Sequence, residues 1–301
     1  YEDLRKINPK IVFCTVSGYG MTGPYRDMPS HGIAYDTWSG ACKPAYDEEG
    51  FCYIPEHIGV GISAAPLYGG LAVLAGVLRA RATGQGCFMD LAQSDAAAAF
   101  DWYRSESHMA YARPEDVVTG NKADGYQRRP VATAGMREGV RYQIYESSDG
   151  HVLFMASEQA FWKNFCAGVG RMDLFEKWPG SKYADHARGN RELQAELRTI
   201  FKTKTSQQWL KFSVEANTPI APVNTPQNIV DDPQFKARFK ILPHEKHGAD
   251  MLGFPVQFVG ENLPAPAIAP TAGQHTAQVL RDVLGYDDAR CAAAREAGAL
   301  G

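Results

Sequence analysis

The sequence predicts an α/β protein in which a large domain is interrupted by a smaller α+β domain. Ile11–Val16 is a short, mostly apolar run, typical of a strand buried on both faces, and Phe88–Leu91 is a weaker second strand. Helical segments separate the two, and strands that alternate with helices favour parallel pairing. In the second half, Asp149-Gly150 separates two alternating runs, which is a strong signal for a β-hairpin.

The composition excludes several classes of protein. Hydrophobic residues make up 45% of the 301 residues and charged residues 22%, which is typical of a soluble globular protein. The net charge is −3 and no polybasic stretch occurs, so we expect no nucleic acid and no membrane as partners. Six scattered cysteines without zinc spacing predict reduced thiols, a cytoplasmic location and no metal site.

One segment is long enough to cross a bilayer. Ile58–Leu78 contains no charge, but Pro66 and five glycines interrupt it. We therefore predict a loop through Pro66, followed by a buried helix over Leu67–Ala80 that stops near Thr83-Gly84.

The remaining elements divide the chain into three parts. We predict residues 1–139 as the first part of the large domain with a linker, residues 140–225 as the small domain, and residues 226–301 as a return segment that completes the large domain. Arg113–Gly139 is polar and reads as a linker or an active-site loop. The predicted later helices are Ser94–Tyr103, Gln159–Val169, Glu192–Phe201 with Asn190 as its cap, and Ser206–Asn217 with Ser206 as its cap.

A glycine-rich segment follows the first strand. Gly18–Gly23 matches G-x-G-x-x-G, but a dinucleotide fingerprint needs a helix after the third glycine, and Pro24 follows here. We therefore predict neither a nicotinamide nor a flavin site. Two interpretations remain: a loop that binds another ligand at the carboxyl end of the strand, or a plain turn.

Three further features can carry chemistry. His31 lies between this loop and a helical segment, where a histidine acts as a general base or is simply structural. Glu56 follows Pro55 and is either a nucleophile or acid, or part of a solvated turn. The arginine pairs Arg79/Arg81 and Arg128-Arg129 either bind phosphate or lie in solvent.

A series of motifs in a fixed order resembles the family III CoA-transferases, a family that includes carnitine–CoA transferases, formyl-CoA transferases and α-methylacyl-CoA racemases. The motifs are Tyr1–Leu4 leading into Asn8–Val12, Val16–Tyr25, Gly76–Gly86, Tyr145–Gly150, Pro222–Thr225, and Gly273–Thr276 ahead of Leu284–Tyr286. They span nearly the whole chain.

The resemblance implies an acyl-CoA enzyme with a Rossmann-like large domain, an inserted small domain and an interlocked dimer, as a homodimer or a heterodimer. It also implies further βα units ahead of Tyr1 that supply part of the coenzyme A site, and a carboxylic acid as the second substrate. The residues expected to line coenzyme A are Ser17, Gly18, Tyr19, Gly20, Thr22, Gly23, Pro24 and Tyr25.

The chain departs from the family at one position. The transferases use an aspartate before the glycine-rich helix as the nucleophile. Here that position falls at Ile62, Ser63 or Ala64, none of which is acidic. Glu56 remains as a candidate for a displaced nucleophile.

The racemase branch implies two other residues. His31 matches the histidine that removes the α-proton, and Glu158 matches the glutamate that supports it. The sequence thus leaves three functions open: CoA transfer between carboxylic acids, α-proton chemistry on an acyl-CoA with His31, or a non-catalytic subunit whose partner supplies the aspartate.

Overall fold

The structure is a computed structural model that describes residues 1–114, 116–117, 136–181, 185–261 and 263–300. In the first half, the elements are α1 (Glu2–Ile7), β1 (Val12–Ser17), α2 (Ile33–Ser39), β2 (Ala45–Tyr46), β3 (Cys52–Tyr53), α3 (Val60–Thr83), β4 (Cys87–Ala92), α4 (Gln93–Phe100) and α5 (Trp102–Tyr111). The second half contains β5 (Tyr142–Glu146), β6 (His151–Met155), α6 (Gln159–Gly168), α7 (Met172–Lys177), α8 (Arg191–Phe201), α9 (Ser206–Glu215), β7 (Ile220–Pro222), α10 (Pro233–Arg238), β8 (Ile241–Leu242), α11 (His244–His247), β9 (Met251–Leu252), α12 (Thr276–Gln278) and α13 (Asp288–Glu296).

The predicted parallel strand pair is confirmed. β1 and β4 pair in parallel from Val12 opposite Cys87 to Ser17 opposite Ala92, so their carboxyl ends lie side by side. α3 covers one face of the pair. A Cβ added to Gly76 would lie 2.9 Å from Val12, so this glycine allows the helix to approach β1 closely.

The structure corrects the prediction for α3. The predicted loop through Pro66 is wrong, because the helix already begins at Val60 and includes the proline. Ala64 and Ala65 pack against Ala96 of α4, and this tertiary packing offsets the backbone hydrogen bond that Pro66 cannot make.

The expected burial of α3 holds for one face only. Its buried residues are all glycine or alanine, whereas Leu67, Leu71, Leu74 and Leu78 are each more than 60% exposed. By length and composition α3 could cross a membrane, and 28% of its most apolar window is buried.

Two other boundaries differ from the prediction. The helix predicted over Ser94–Tyr103 breaks at Asp101 and continues as α5 to Tyr111. The cap of α9 is Thr205 rather than Ser206: its side chain and that of Gln208 form a reciprocal capping box. By contrast, Asn190 caps α8 as predicted, since its side chain accepts the Leu193 N–H.

The small unit is built on a three-stranded antiparallel sheet. β5 and β6 form the predicted hairpin, and β7 pairs with β6 as the third strand. Helices α6, α8 and α9 cover the sheet with an aromatic core that includes Trp162, Phe165, Phe201 and Trp209, all 0% exposed. This core lies within residues 140–220.

The last part of the chain packs mainly within itself. β8 pairs with β9, and α12 continues into a π-helical turn at Val279–Val283. In the described residues no strand of this segment joins the β1–β4 pair. The six cysteines lie in the described part of the chain as free thiols.

Candidate functional site

The glycine-rich loop folds back at the carboxyl end of β1. The Gly20 N–H donates to Ser17 Oγ at 3.0 Å, and the Met21 N–H donates to Asp90 Oδ2 of β4 at 2.8 Å. Gly20 has φ +85° and Gly23 has φ +82°, a region that favours glycine. The loop is thus held over the edge where both strands end, and a turn rather than a helix follows Gly23.

The other side of the loop packs on α2. A Cβ on Gly18 would lie 2.2 Å from Ser30 Oγ, so only glycine fits there without displacing this side chain. The hydroxyls of Ser30 and Tyr35 are hydrogen-bonded at 3.0 Å. The Tyr19 ring meets Tyr35 and Tyr25 edge-on, with centroids 5.8 and 5.6 Å apart.

A buried carboxylate holds the beginning of α3. Asp36 of α2 is 1% exposed, and its Oδ1 accepts the Gly61 N–H at 2.8 Å. Its Oδ2 lies 3.5 Å from His57 Nε2, and His57 Nδ1 lies 3.1 Å from the Pro55 carbonyl oxygen. Asp36 is the one carboxylate that is buried among the residues described by the structure.

The expected nucleophile position lies beside this carboxylate. Ile62, Ser63 and Ala64 form the first turns of α3, and Ser63 is exposed. Gly32, which follows His31, packs against this first turn of α3, because a Cβ added to Gly32 would lie 3.1 Å from Ile62.

The predicted acid–base residues are all at the surface. His31, Glu56 and Glu158 are exposed, and within the described ranges none of their side chains makes a hydrogen bond or an ion pair. Glu158 stands at the N-cap position of α6 without capping it. The support of His31 by Glu158 therefore stays a prediction. Arg128-Arg129, and most of the predicted loop Arg113–Gly139, lie outside the described residues.

A second polar cluster flanks Glu158. Ser157 Oγ lies 2.7 Å from His186 Nδ1. Arg141 is 1% exposed, and its Nη2 lies 2.7 Å from Asp185 Oδ2. Burial works to raise the pKa of Asp185, but the hydrogen bond from the Ala187 N–H and the Arg141 guanidinium together hold it below its usual value.

Sequence reasoning did not select Asp36 or Asp90. Both are short carboxylates in predicted regular elements, and nothing in the neighbouring residues marks them. No group of three or more His, Cys, Asp or Glu side chains suited to a metal occurs in the part of the chain that the structure describes.

Comparison with known proteins decides the family. A family model described as CoA-transferase family III matches residues 1–276. The chain belongs to this family. Its relatives include the succinyl-CoA:glutarate CoA-transferase of Homo sapiens, 28% identical over 96% of this chain, and the succinate–glutarate CoA-transferase of Agrobacterium fabrum, 23% identical over 94%. This chain spans 63% of the length of the human relative and 68% of the length of the bacterial one.

Solved structures show the same fold. A CAIB/BAIF family protein from Brucella suis superposes with a TM-score of 0.66 at 22% identity. The superposition covers 94% of this chain and 70% of the Brucella chain. A protein of Mycobacterium tuberculosis gives a TM-score of 0.69 at 22% identity, with coverage of 92% and 70%.

Proposed function

We propose that this chain carries the acyl-CoA site of an enzyme that transfers CoA between carboxylic acids. The carrying observation is the family match across residues 1–276, with the glycine-rich loop folded at the carboxyl ends of a parallel strand pair. Open α/β sheets bind ligands at this edge. Because the two relatives above are named as CoA-transferases of succinyl-CoA or succinate and of glutarate, succinyl-CoA and glutarate are the first substrates to assay.

Coenzyme A enters this proposal as a substrate that lies along Ser17–Tyr25. Glycine-rich loops can bind anionic groups through main-chain N–H groups. In this loop the N–H groups of Gly20 and Met21 already donate to Ser17 and Asp90, so the ligand would meet other N–H groups of the loop. The Tyr25 ring is 46% exposed and offers a flat apolar contact. The chemistry requires a carboxylate and a thiolate, so it needs no metal, nicotinamide or flavin.

Glu56 is the proposed nucleophile. Its carboxylate attacks the thioester carbonyl, an O–C bond forms, the C–S bond breaks, and CoA leaves as a thiolate. The thiolate then attacks the glutamyl carbonyl of the mixed anhydride and releases the first acid as its carboxylate. The acceptor carboxylate then attacks the glutamyl thioester and releases CoA as a thiolate, which forms a second mixed anhydride. The thiolate attacks the acceptor carbonyl of this anhydride, so the acceptor leaves as its CoA thioester and the Glu56 carboxylate is restored. Glu56 suits this role because it is exposed, free and one residue from His57, which contacts Asp36.

We also propose a Rossmann-like large domain and an interlocked dimer. The exposed leucines of α3 and the two-stranded β1–β4 sheet need a cover of further elements or a second copy. Light scattering on the full protein tests the dimer, and a monomer at micromolar concentration would contradict it.

Replacing Glu56 with glutamine is expected to reduce transfer from succinyl-CoA to glutarate at least 100-fold, because the amide cannot form the anhydride. Mass spectrometry after hydroxylamine treatment of the wild type should find a hydroxamate at Glu56. Glu48→Gln, at another exposed glutamate, is the control and should keep full activity. Transfer by the wild type with no adduct at Glu56 would contradict the role of Glu56. Transfer that occurs only after an aspartate-bearing homologue is added would instead support the alternative in which this chain is a non-catalytic subunit.

Replacing Asp90 with alanine is expected to weaken CoA binding about tenfold, because the Met21 N–H loses its charged acceptor and the loop loses its attachment to β4. Asp90→Asn keeps an acceptor oxygen and should bind within about threefold of the wild type. Titration calorimetry measures both. Asp47→Ala is the control, since Asp47 accepts N–H groups of a separate turn. Unchanged affinity in Asp90→Ala would rule out this anchoring role.

A further inference from the structure

We propose that Asp36 is a positioning residue of the site: from α2 it supplies the N-terminal cap that α3 lacks, and so it fixes the first turn of α3 and the segment that carries Glu56. The proposal rests on the proposed function for its catalytic consequence. The capping itself can be tested without it.

The end of α3 needs an outside partner. The first N–H groups of a helix have no acceptor within the helix, and α3 has Gly59 at its N-cap position, which has no side chain to offer. Asp36 Oδ1 accepts the N–H of Gly61, the second residue of the helix, at 2.8 Å. A carboxylate at this end is also favoured by the helix dipole. Asp36 thus does from another helix what a capping side chain does locally.

The fit around this contact leaves α3 little freedom. A Cβ on Gly61 would lie 2.8 Å from Tyr35 Cβ and 3.1 Å from the Gln93 carbonyl oxygen, so α3 begins in direct contact with α2 and the start of α4. The neighbouring Tyr35 holds Ser30 and packs on Gly18. Two consecutive residues of α2 therefore hold the glycine-rich loop and the start of α3 together.

The second oxygen of Asp36 holds the approach to α3. It faces His57 Nε2 at 3.5 Å, while His57 Nδ1 faces the Pro55 carbonyl oxygen at 3.1 Å. Both ring nitrogens are thus directed at oxygen atoms, which orients the segment around Glu56. Asp36 is 1% exposed, its Oδ1 accepts the Gly61 N–H and its Oδ2 faces His57, so it holds other groups in place and does not itself attack a substrate.

The variants Asp36→Ala and Asp36→Asn separate the cap from the charge. Asparagine keeps an oxygen that accepts the Gly61 N–H, and alanine does not. In Asp36→Ala, we expect amide hydrogen exchange across residues 59–66 to rise at least tenfold and kcat to fall about tenfold, with less than threefold change in KM. Asp36→Asn should restore both quantities to within about threefold of the wild type.

Two more variants complete the test. Asp287→Ala removes a matched cap, since Asp287 accepts the Arg290 N–H at the start of α13, and it should speed exchange there while kcat stays unchanged. His57→Ala leaves the Asp36–Gly61 hydrogen bond in place and should speed exchange before residue 59 only. If Asp36→Ala does not fold, Asp36→Ser replaces it, because its shorter side chain is polar but does not reach the Gly61 N–H. Unchanged exchange over 59–66 in Asp36→Ala would overturn the proposal. A second result would also overturn it: Asp36→Asn with wild-type exchange over residues 59–66 but with kcat as low as that of Asp36→Ala. Asp36 would then be the nucleophile. If the wild type shows no transfer, the proposed function fails, and the exchange data alone decide the cap.

Discussion

Replacing Asp185 with alanine is expected to destabilise the small domain by about 2–3 kcal/mol. Arg141 is 1% exposed, and its Nε and Nη1 have no hydrogen-bond partner in the described part of the chain, so Asp185 carries the pairing of this buried cation. Removal of one partner of a fully buried pair costs more, but the Asp185 side chain is 32% exposed and solvent screens part of the charge.

Denaturant unfolding followed by tryptophan fluorescence measures this loss, since Trp162 and Trp209 lie in the affected core. Asp173→Ala is the matched control. Asp173 also pairs with an arginine, Arg171, but it is 61% exposed, so we expect less than about 1 kcal/mol. Equal losses in the two variants would show that the burial of Arg141 has no energetic consequence.

The loss of stability in Asp185→Ala is expected to depend on pH. The pKa of Asp185 is lower in the folded protein than the ordinary value of about 3.9. A lowered carboxylate pKa stabilises the fold above that ordinary value, and the stabilisation is lost as the pH falls through the folded pKa. The difference between wild type and Asp185→Ala should therefore be full at pH 7 and should shrink steadily below about pH 4. A difference that stays constant down to pH 2.5 would contradict the ion pair.

Replacing Gly86 with alanine is expected to destabilise the α/β layer by about 3 kcal/mol. The new Cβ would lie 1.8 Å from the Ile11 carbonyl oxygen, and backbone cannot move aside as a flexible side chain can. At this point the Gly86 N–H donates to the Pro9 carbonyl and the Cys87 N–H to the Ile11 carbonyl, so relief of the clash would separate the beginnings of β1 and β4.

Gly70→Ala is the control for this prediction. Gly70 lies within α3, and a Cβ there meets no atom within 4 Å. Since alanine is the better helix former, this variant should be neutral or more stable by about 0.5–1 kcal/mol. Thermal unfolding measures both variants, and a Gly86→Ala protein as stable as Gly70→Ala would show that β1 and β4 do not approach as the structure has them.

Local patterns predicted those elements whose partners lie nearby in sequence. Asp149-Gly150 predicted the β5–β6 hairpin because the turn residues set the pairing of the strands beside them. Asn190 predicted the start of α8 because its acceptor oxygen reaches an N–H three residues on. The prediction for α3 was wrong at Pro66 because packing of alanines against α4 outweighed a local breaking signal.

The glycine-rich loop was predicted from its motif, but the residues that hold it were not. Asp90 reaches Met21 across 69 positions of sequence, and Asp36 reaches Gly61 across 25. Neither separation in sequence corresponds to the repeat of a strand or a helix, so no periodicity of the sequence indicates these contacts. Such partners become visible only when the chain is folded.

The amino-acid sequence by itself determined the class of this protein: an α/β chain with a hairpin in its second half, a glycine-rich loop after the first strand, and a series of motifs that resembles one family. Those features depend on local composition and spacing, which a linear sequence contains. The tertiary structure decided which face of α3 is buried, that Asp90 holds the glycine-rich loop, and that Asp36 accepts the Gly61 N–H at the start of α3. Burial and hydrogen bonding of a carboxylate depend on groups from other elements, and only the folded chain brings those groups within 3 Å.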